Sequence, residues 1–192
     1  MNERIHTNEN EGSVGSCLGR VFFTFVIGLS ALVLLAAASS GGKGSLSYDP
    51  HNCQISQAYP ANVQRWCGLI TAYARQNQLP PDLIAALILQ ESGGNPSAYS
   101  HSGAVGLMQV MPRDGIAATF RCNDQPCFTD RPSAYELRDS EFNVEYGTRL
   151  LSDLVTKYSG NLREALHAYG PYDVGYAYAD AVLSIYQRYS SQ

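Results

Sequence analysis

Apolar residues recur at steps of three and four along most of the chain after residue 60, which is the spacing of helices with one buried face. The pattern predicts helices over residues 61–76, 81–92, 139 or 140 to 158, 161–169 and 176–189. Val, Ile and Thr nowhere alternate with polar residues over any length, so no extended sheet is predicted. The predicted fold class is therefore mainly α, as a compact helical domain.

Two of these helices have a predicted buried stripe. In the long helix ending near Tyr158 the stripe consists of Phe142, Tyr146, Leu150, Leu151, Leu154 and Tyr158. In the last helix it consists of Ala179, Val182, Leu183 and Tyr186. Each set repeats at three- or four-residue steps, so its members lie on one side of the helix. Residues 101–112 and 121–133 are predicted as loops, the first leading into a short turn or helix.

A longer apolar run, Val21–Ala38, precedes the helical part and carries no charge. As a helix it would extend about 27 Å, close to the thickness of a bilayer's hydrocarbon core. We expect a transmembrane anchor, with residues 1–20 as a cytoplasmic tail. A signal peptide cleaved near Ala38 is the alternative, although the acidic residues of the long leader disfavour it. A buried core helix is a third reading.

The chain beyond the apolar run divides into a linker and a domain. Residues 39–52 begin with a Ser- and Gly-rich stretch and are expected to be a flexible linker, and residues 53–192 form the domain. With the anchor in place, this is a single-pass protein of the bacterial cell membrane with its domain outside the cytoplasm. With cleavage, the domain is secreted.

Cysteine usage agrees with export. Four cysteines, Cys53, Cys67, Cys122 and Cys127, follow the apolar run and one, Cys17, precedes it. An even number in an exported segment predicts disulfides, with three possible pairings. We favour Cys53–Cys67 with Cys122–Cys127, because each closes a short local loop. Free buried cysteines are the alternative, and no nearby histidine completes a zinc site around Cys122 and Cys127.

The composition narrows the choice of partner. The net charge is −4 and no basic block occurs, so binding to nucleic acid is not expected. The sequence contains 13 tyrosines, whose flat apolar rings with polar tips suit the edge of a core or a sugar-binding groove. We expect a monomer that uses neither a metal nor an organic cofactor.

One carboxylate, Glu91, ends the most apolar of the predicted helices. Burial would raise the pKa of its carboxyl, and so would the negative end of the helix dipole. A carboxyl that is neutral near pH 7 can protonate a leaving oxygen. An ordinary surface glutamate at a helix end is the alternative. Ser92 would need a paired histidine to act as a nucleophile, and neither His101 nor His167 has a supporting pattern.

The stretch "LILQESGGNPSAYSHSGAVGLMQVMP", with the later "FNVEYGTRLLSDLVTKYSGNLREALHAYG", closely resembles the catalytic domain of soluble lytic transglycosylases, the SLT family, in the lysozyme-like superfamily. The resemblance covers roughly residues 62–189. It implies a compact lysozyme-like α-helical domain, here behind an N-terminal transmembrane helix. It also implies cleavage of the β-1,4 bond between N-acetylmuramic acid and N-acetylglucosamine in the glycan strands of peptidoglycan.

The resemblance also implies roles for individual residues. Glu91 would be the catalytic acid and base, and Ser92 would support its position. Met108 and Gln109 would line the groove, with Gln109 hydrogen-bonding sugar, and Tyr169 would face Glu91. For three of them a structural role is the alternative: capping of backbone groups by Ser92, core filling by Met108 and helix packing by Tyr169.

The chain departs from the family at one point, Gly170. The family usually reads Ala-Tyr-Asn-Ala-Gly here, and this chain has Ala168, Tyr169, Gly170, Pro171 and Tyr172. The contact made by the Asn amide is therefore absent or supplied elsewhere, by Tyr172 or Asp173 for example.

The expected reaction is that of a lytic transglycosylase, which needs one carboxylate and closes a 1,6-anhydro ring on the muramic acid. Hydrolysis by a muramidase would need a second carboxylate about 6.5–9.5 Å away if it inverts, and the motif contains none. A muramidase and a glycan-binding module without turnover remain as alternatives.

Overall fold

In a computed structural model, residues 49–191 can be described, and within them the chain forms six α-helices. Their bounds are α1 Ala61–Gln64, α2 Cys67–Gln76, α3 Pro81–Ser92, α4 Ser140–Lys157, α5 Leu162–Tyr169 and α6 Ala177–Ser190. Short 3₁₀ turns cover Gly115–Thr119, Glu136–Arg138 and Tyr172–Val174, and a hairpin pairs β1 Arg121–Cys122 with β2 Gln125–Pro126. The prediction of a mainly α fold is confirmed.

Helix α3 is the central element of the core. Its residues Leu83–Ile88 are all fully buried, because it packs against both α2 and α6. Pro81 occupies the first turn, where its missing N–H costs nothing, and Asp82 follows it. Gly93 ends the helix with a left-handed φ of 60°, which a residue without a Cβ adopts freely. These are the predicted limits of this helix.

The single helix predicted over residues 61–76 is two helices in the structure. Helix α1 ends at Gln64 and α2 begins at Cys67, with Arg65 and Trp66 between them. The apolar spacing continues across the break, so the pattern alone did not show it. The side chains of both intervening residues bond the same carbonyl, that of Gly94.

Helix α4 begins as predicted, with the Asp139 side chain accepting a hydrogen bond from the Phe142 backbone N–H. Its buried face is not the predicted stripe. Of the six stripe residues only Leu151 is fully buried, and the fully buried residues are Asn143, Val144, Gly147, Thr148 and Leu151. The buried face of α4 is rotated from the predicted stripe because its small and polar residues pack against the loop around Met108. The aromatic residues of the stripe are only partly buried, at the edge of the core.

Both favoured disulfides are confirmed. Cys53–Cys67 has Cα atoms 5.1 Å apart and ties the segment before α1 to the start of α2. Cys122–Cys127 has Cα atoms 4.9 Å apart and closes the β1–β2 hairpin.

The chain already packs against α2 before Cys53, since a Cβ on Gly68 would lie 2.7 Å from the Pro50 Cα.

The predicted membrane segment, Val21–Ala38, and Cys17 lie outside the described residues. Between residues 49 and 191, no helix has both the length and the apolar character needed to cross a membrane.

Candidate active site

The end of α3 is held by side chains from the α1 region. The carbonyl of Gly93 accepts a hydrogen bond from Asn62 Nδ2. The carbonyl of Gly94 accepts two, from the Arg65 guanidinium at 2.9 Å and the Trp66 indole at 3.0 Å. Gly94 must be a glycine, because a Cβ there would lie 2.2 Å from the Asn62 carbonyl oxygen. The turn that follows Glu91 is thus fixed from outside its own helix.

Ser92 joins this helix end to the loop that carries Met108 and Gln109. Its hydroxyl lies 2.8 Å from the Leu107 carbonyl and 3.2 Å from the Ile88 carbonyl, and it accepts a hydrogen bond from the Gly94 N–H at 3.2 Å. All of these partners are backbone groups. The structure therefore places Ser92 where it bonds backbone groups, the alternative given for it, while it also fixes the residue next to Glu91.

The loop itself is anchored by Asn143, a fully buried residue of α4. Its amide donates to the carbonyls of Val105 at 2.9 Å and Leu137 at 3.0 Å, and its oxygen accepts from the Met108 N–H at 2.9 Å. Gly106, with a φ of 81°, passes so close that a Cβ would lie 2.4 Å from this amide. Asn143 thus fixes the position of this loop relative to α4.

Met108 differs from its expected position. Its side chain is 0% exposed and lies over Gly147, where an added Cβ would be 2.7 Å from the sulfur. The Thr148 hydroxyl is 3.7 Å from the same sulfur. The side chain therefore fills the core beneath the loop, and only the main chain of Met108 is placed to interact at the site.

Gln109 has a left-handed φ of 45° and a partly exposed side chain. Its amide nitrogen donates to the carbonyls of Gly106 at 2.9 Å and Ala98 at 3.2 Å. These bonds hold the amide in one orientation and leave its oxygen as the atom available to a donor from a ligand.

The tyrosine that bonds Glu91 is Tyr178, not Tyr169. The Tyr178 hydroxyl donates to Glu91 Oε1, while the Tyr169 hydroxyl donates to the Met108 carbonyl at 2.9 Å. Burial raises the pKa of both hydroxyls, and the charge of Glu91 raises it further. Both tyrosines are therefore close enough to Glu91 to feel its charge. Tyr169 thus lies near the acid and anchors the loop beside it.

Sequence reasoning missed Tyr178, although a signal was present. It precedes Val182 by four residues and so lies on the inward stripe of α6, where a buried tyrosine hydroxyl needs a partner. Glu91 is a partly buried acceptor on α3, the helix against which α6 packs.

The departure at Gly170 has a structural explanation. A Cβ at this position would lie 2.2 Å from Cδ1 of the Tyr178 ring and 2.6 Å from Cε1. The ring therefore packs directly on the Gly170 backbone, in space that an asparagine side chain would need. The hydroxyl of Tyr178 supplies a polar contact to Glu91 in a chain that has no amide at residue 170.

Burial dominates the electrostatics of Glu91. Desolvation raises the pKa of its carboxyl to about 7, against the opposing effect of the Tyr178 hydrogen bond, which favours the ionised form. Among residues 49–191 no second carboxylate contributes to this shift. Near neutral pH the carboxyl is therefore present in both protonation states, as a group that gives and then takes a proton must be.

A helical domain whose central helix ends in a partly buried carboxyl is the arrangement that the resemblance to lysozyme-like domains predicted. The chain is a member of the transglycosylase SLT domain family, whose model matches residues 68–175. The resemblance noted in the sequence is thereby confirmed.

Similar proteins support this assignment. A protein called membrane-bound lytic murein transglycosylase E, from Buchnera aphidicola subsp. Acyrthosiphon pisum (strain APS), is 35% identical over 96 residues, 50% of this chain and 42% of that protein. An endo-type membrane-bound lytic murein transglycosylase A from Citrobacter koseri is 33% identical over 133 residues, 69% of this chain and 59% of that protein. The chain thus spans about half the length of these relatives.

Solved structures show the same fold. An inactive mutant of the lytic transglycosylase Slt from Pseudomonas aeruginosa matches 70% of this chain and 26% of its own, with a TM-score of 0.51 at 22% identity. The 70 kDa soluble lytic transglycosylase of Escherichia coli matches 67% of this chain and 27% of its own, with a TM-score of 0.51 at 21% identity.

Proposed function

We propose that this protein is a peptidoglycan lytic transglycosylase in which Glu91 is the only catalytic carboxyl. It would cleave the β-1,4 bond between N-acetylmuramic acid and N-acetylglucosamine and form a 1,6-anhydro ring. The observation that carries the proposal is the state of Glu91, a largely desolvated, partly buried carboxyl with a pKa of about 7, hydrogen-bonded to a tyrosine. Family membership and the names of the relatives support the choice of substrate.

The reaction needs one group that acts twice. In the first step the neutral Glu91 carboxyl protonates the glycosidic oxygen, the bond from that oxygen to C1 of the muramic acid breaks, and the substrate's N-acetyl group stabilises the cation. In the second step the Glu91 carboxylate takes the proton of the C6 hydroxyl, whose oxygen bonds to C1. Glu91 ends protonated, and the attacking hydroxyl is already tethered to the ring.

The surroundings of Glu91 favour this route over one with a second carboxylate. Asp114, the first acid after the signature, accepts a hydrogen bond from the Ala134 N–H at 2.7 Å, which ties it to a loop. Asp124, Asp130 and Asp173 are exposed. None of these carboxylates contributes to the raised pKa of Glu91.

The other site residues would act through position. Tyr178 orients Glu91 and favours its ionised form, which suits the second step. Tyr169 and Ser92 hold the loop from Leu107 to Met108 against the acid. Gln109 is the residue of this loop that we assign to hydrogen bonding with sugar, through its amide oxygen.

The test is mass analysis of the products from peptidoglycan digested by the full chain in detergent. We expect 1,6-anhydro muropeptides, and none from Glu91→Gln. Glu145→Gln is the matched control, since Glu145 lies on α4 near Tyr73 and exerts its charge there. Products that carry only reducing ends would instead indicate a muramidase. Retained binding without product, equal in wild type and Glu91→Gln, would indicate a binding module.

We also propose that residues 21–38 anchor the protein in the bacterial membrane as a single span, which limits cleavage to wall near the membrane. The names of both relatives describe membrane-bound proteins. After cell fractionation the intact chain should remain with the membrane and be released by detergent but not by salt. A shortened form in the soluble fraction would favour cleavage near Ala38.

A further inference from the structure

A positively charged side chain, that of Arg131, belongs to a segment bonded to the chain just after the loop that carries Gln109: the Arg113 N–H donates to the Pro132 carbonyl at 3.0 Å. Its guanidinium carbon is 5.3 Å from the centre of the Phe128 ring, so the charge lies over an aromatic face. The hydroxyl of Tyr169 is subject to two opposed charges after the larger effect of burial: Glu91 raises its pKa and Arg131 lowers it. The acid and the guanidinium therefore both act on the hydroxyl of Tyr169, from opposite signs of charge.

The segment that carries Arg131 is held on several sides. Phe128 packs against Phe120 with ring centres 6.2 Å apart, and the Cys127 N–H of the disulfide-closed hairpin donates to the Phe120 carbonyl at 3.1 Å. The Arg131 N–H donates to the Phe128 carbonyl at 3.0 Å. Arg113 binds the other side, with its guanidinium 3.1 Å from the Arg131 carbonyl. This bracing fixes the backbone from which the guanidinium projects.

The charge of Arg131 is not neutralised within the part of the chain that the structure describes. Arg113 pairs with Glu136 at 3.4 Å and Arg163 pairs with Asp180 at 2.6 Å. No described carboxylate forms an ion pair with Arg131, whose side chain is partly exposed. A guanidinium stacked on an aromatic ring keeps its edge free, and that edge matches a planar carboxylate with two parallel hydrogen bonds.

The chemistry of the proposed substrate supplies such a group. The sugar rings and their N-acetyl groups carry no charge, so any anion must come from the substituent on the muramic acid. Carboxylates occur on the lactyl substituent of the muramic acid when it is free, and on the stem peptide attached to it otherwise. We propose that Arg131 binds a carboxylate of the substituent on muramic acid, and this rests on the proposed function. It would make Arg131 a specificity residue for strands that carry this charge.

The test compares three soluble substrates: peptide-bearing strands, the same strands with their carboxyl groups converted to methylamides, and peptide-free strands with free lactyl carboxylates. The full chain is assayed as wild type, Arg131→Gln and Arg131→Lys. Arg75→Gln, a change in an exposed arginine of α2, controls for the loss of one positive charge. Thermal unfolding checks that each variant is folded.

We expect Arg131→Gln to lower kcat/KM on peptide-bearing strands at least about tenfold, mainly through KM, as the loss of a charged hydrogen bond implies. Arg131→Lys should lose less. On amidated strands wild type and Arg131→Gln should be equal. A loss confined to peptide-bearing strands would identify the stem peptide as the ligand, because its attachment consumes the lactyl carboxyl. A loss confined to peptide-free strands would identify the free lactyl carboxylate, and a loss on both would mean that either carboxylate is accepted.

Two outcomes would overturn the inference. One is an unchanged kcat/KM for Arg131→Gln on both the peptide-bearing and the peptide-free strands. The other is an equal loss on all three substrates, amidated strands included, which would mean that Arg131 serves the fold or the glycan. If wild type forms no anhydro product from any substrate, the proposed function fails instead.

Discussion

Removal of one hydroxyl, by Tyr178→Phe, should change the acidity of Glu91 in a defined direction. The hydroxyl donates a hydrogen bond to Glu91 Oε1 and so stabilises the ionised carboxylate. Burial has the opposite effect and destabilises the ionised form. A hydrogen bond to a charged group contributes about 1.5–3 kcal/mol, and one pKa unit is about 1.36 kcal/mol. The pKa of Glu91 should therefore rise by about one to two units above its value of about 7.

The assay is the pH dependence of kcat/KM on soluble glycan strands. In the wild type the rate should fall above about pH 7, because the first step needs the protonated acid. In Tyr178→Phe the maximum rate should be lower, and the alkaline limb should lie one to two units higher. Tyr186→Phe, which removes a hydroxyl elsewhere on α6, should leave the limb in place. An alkaline limb that is unchanged, or that moves to lower pH, would refute this account of Glu91.

Three further predictions concern the same site. Gly170→Ala should displace the Tyr178 ring and lower activity, since the new Cβ would lie 2.2 Å from Cδ1 of that ring. Combined with Tyr178→Phe, the loss of activity should be smaller than the sum of the two single losses. Asn143→Ala should reduce the free energy of unfolding by roughly 3 kcal/mol in urea titrations, because buried partners lose their bonds. Glu91→Gln should stabilise the fold by about 3 kcal/mol at pH 8 but little at pH 4, measured in the same way.

The sign of this last effect follows from proton binding. Between the ordinary glutamate pKa of 4.5 and about 7, the folded state holds a proton on Glu91 that the unfolded state has released. The stability of the wild type therefore falls as pH rises through this window, and the penalty is complete above it. Glutamine does not titrate, so its advantage should appear over the same window. A constant difference from pH 4 to pH 8 would contradict the raised pKa.

The elements of the fold that were predictable are those that depend on local sequence. Helix α3 could be placed to the residue because Pro81 and Gly93 act within a turn of the helix ends. The buried face of α4 was not predictable in the same way. Its orientation depends on Met108, some forty residues earlier, which occupies the space over Gly147 and turns the aromatic stripe toward the edge.

The candidate site divides along the same line. Glu91 was identifiable because its chemistry depends on an apolar helix and the turn that follows it, which are contiguous in the sequence. Its partner was not, because two tyrosines nine residues apart both approach the acid, and periodicity does not say which hydroxyl reaches it. The Tyr169 hydroxyl donates to the Met108 carbonyl, and the Tyr178 hydroxyl donates to Glu91.

Gly170 and Tyr178 are best understood as one feature. A side chain at residue 170 and the Tyr178 ring would compete for the same space, so a chain with asparagine there would have to place this ring differently. In this chain the glycine admits the ring, and the ring brings a hydroxyl to Glu91 from α6, the helix packed along α3. The contact to the acid is thus made from a helix that packs on α3 itself, which limits the orientations open to the carboxyl.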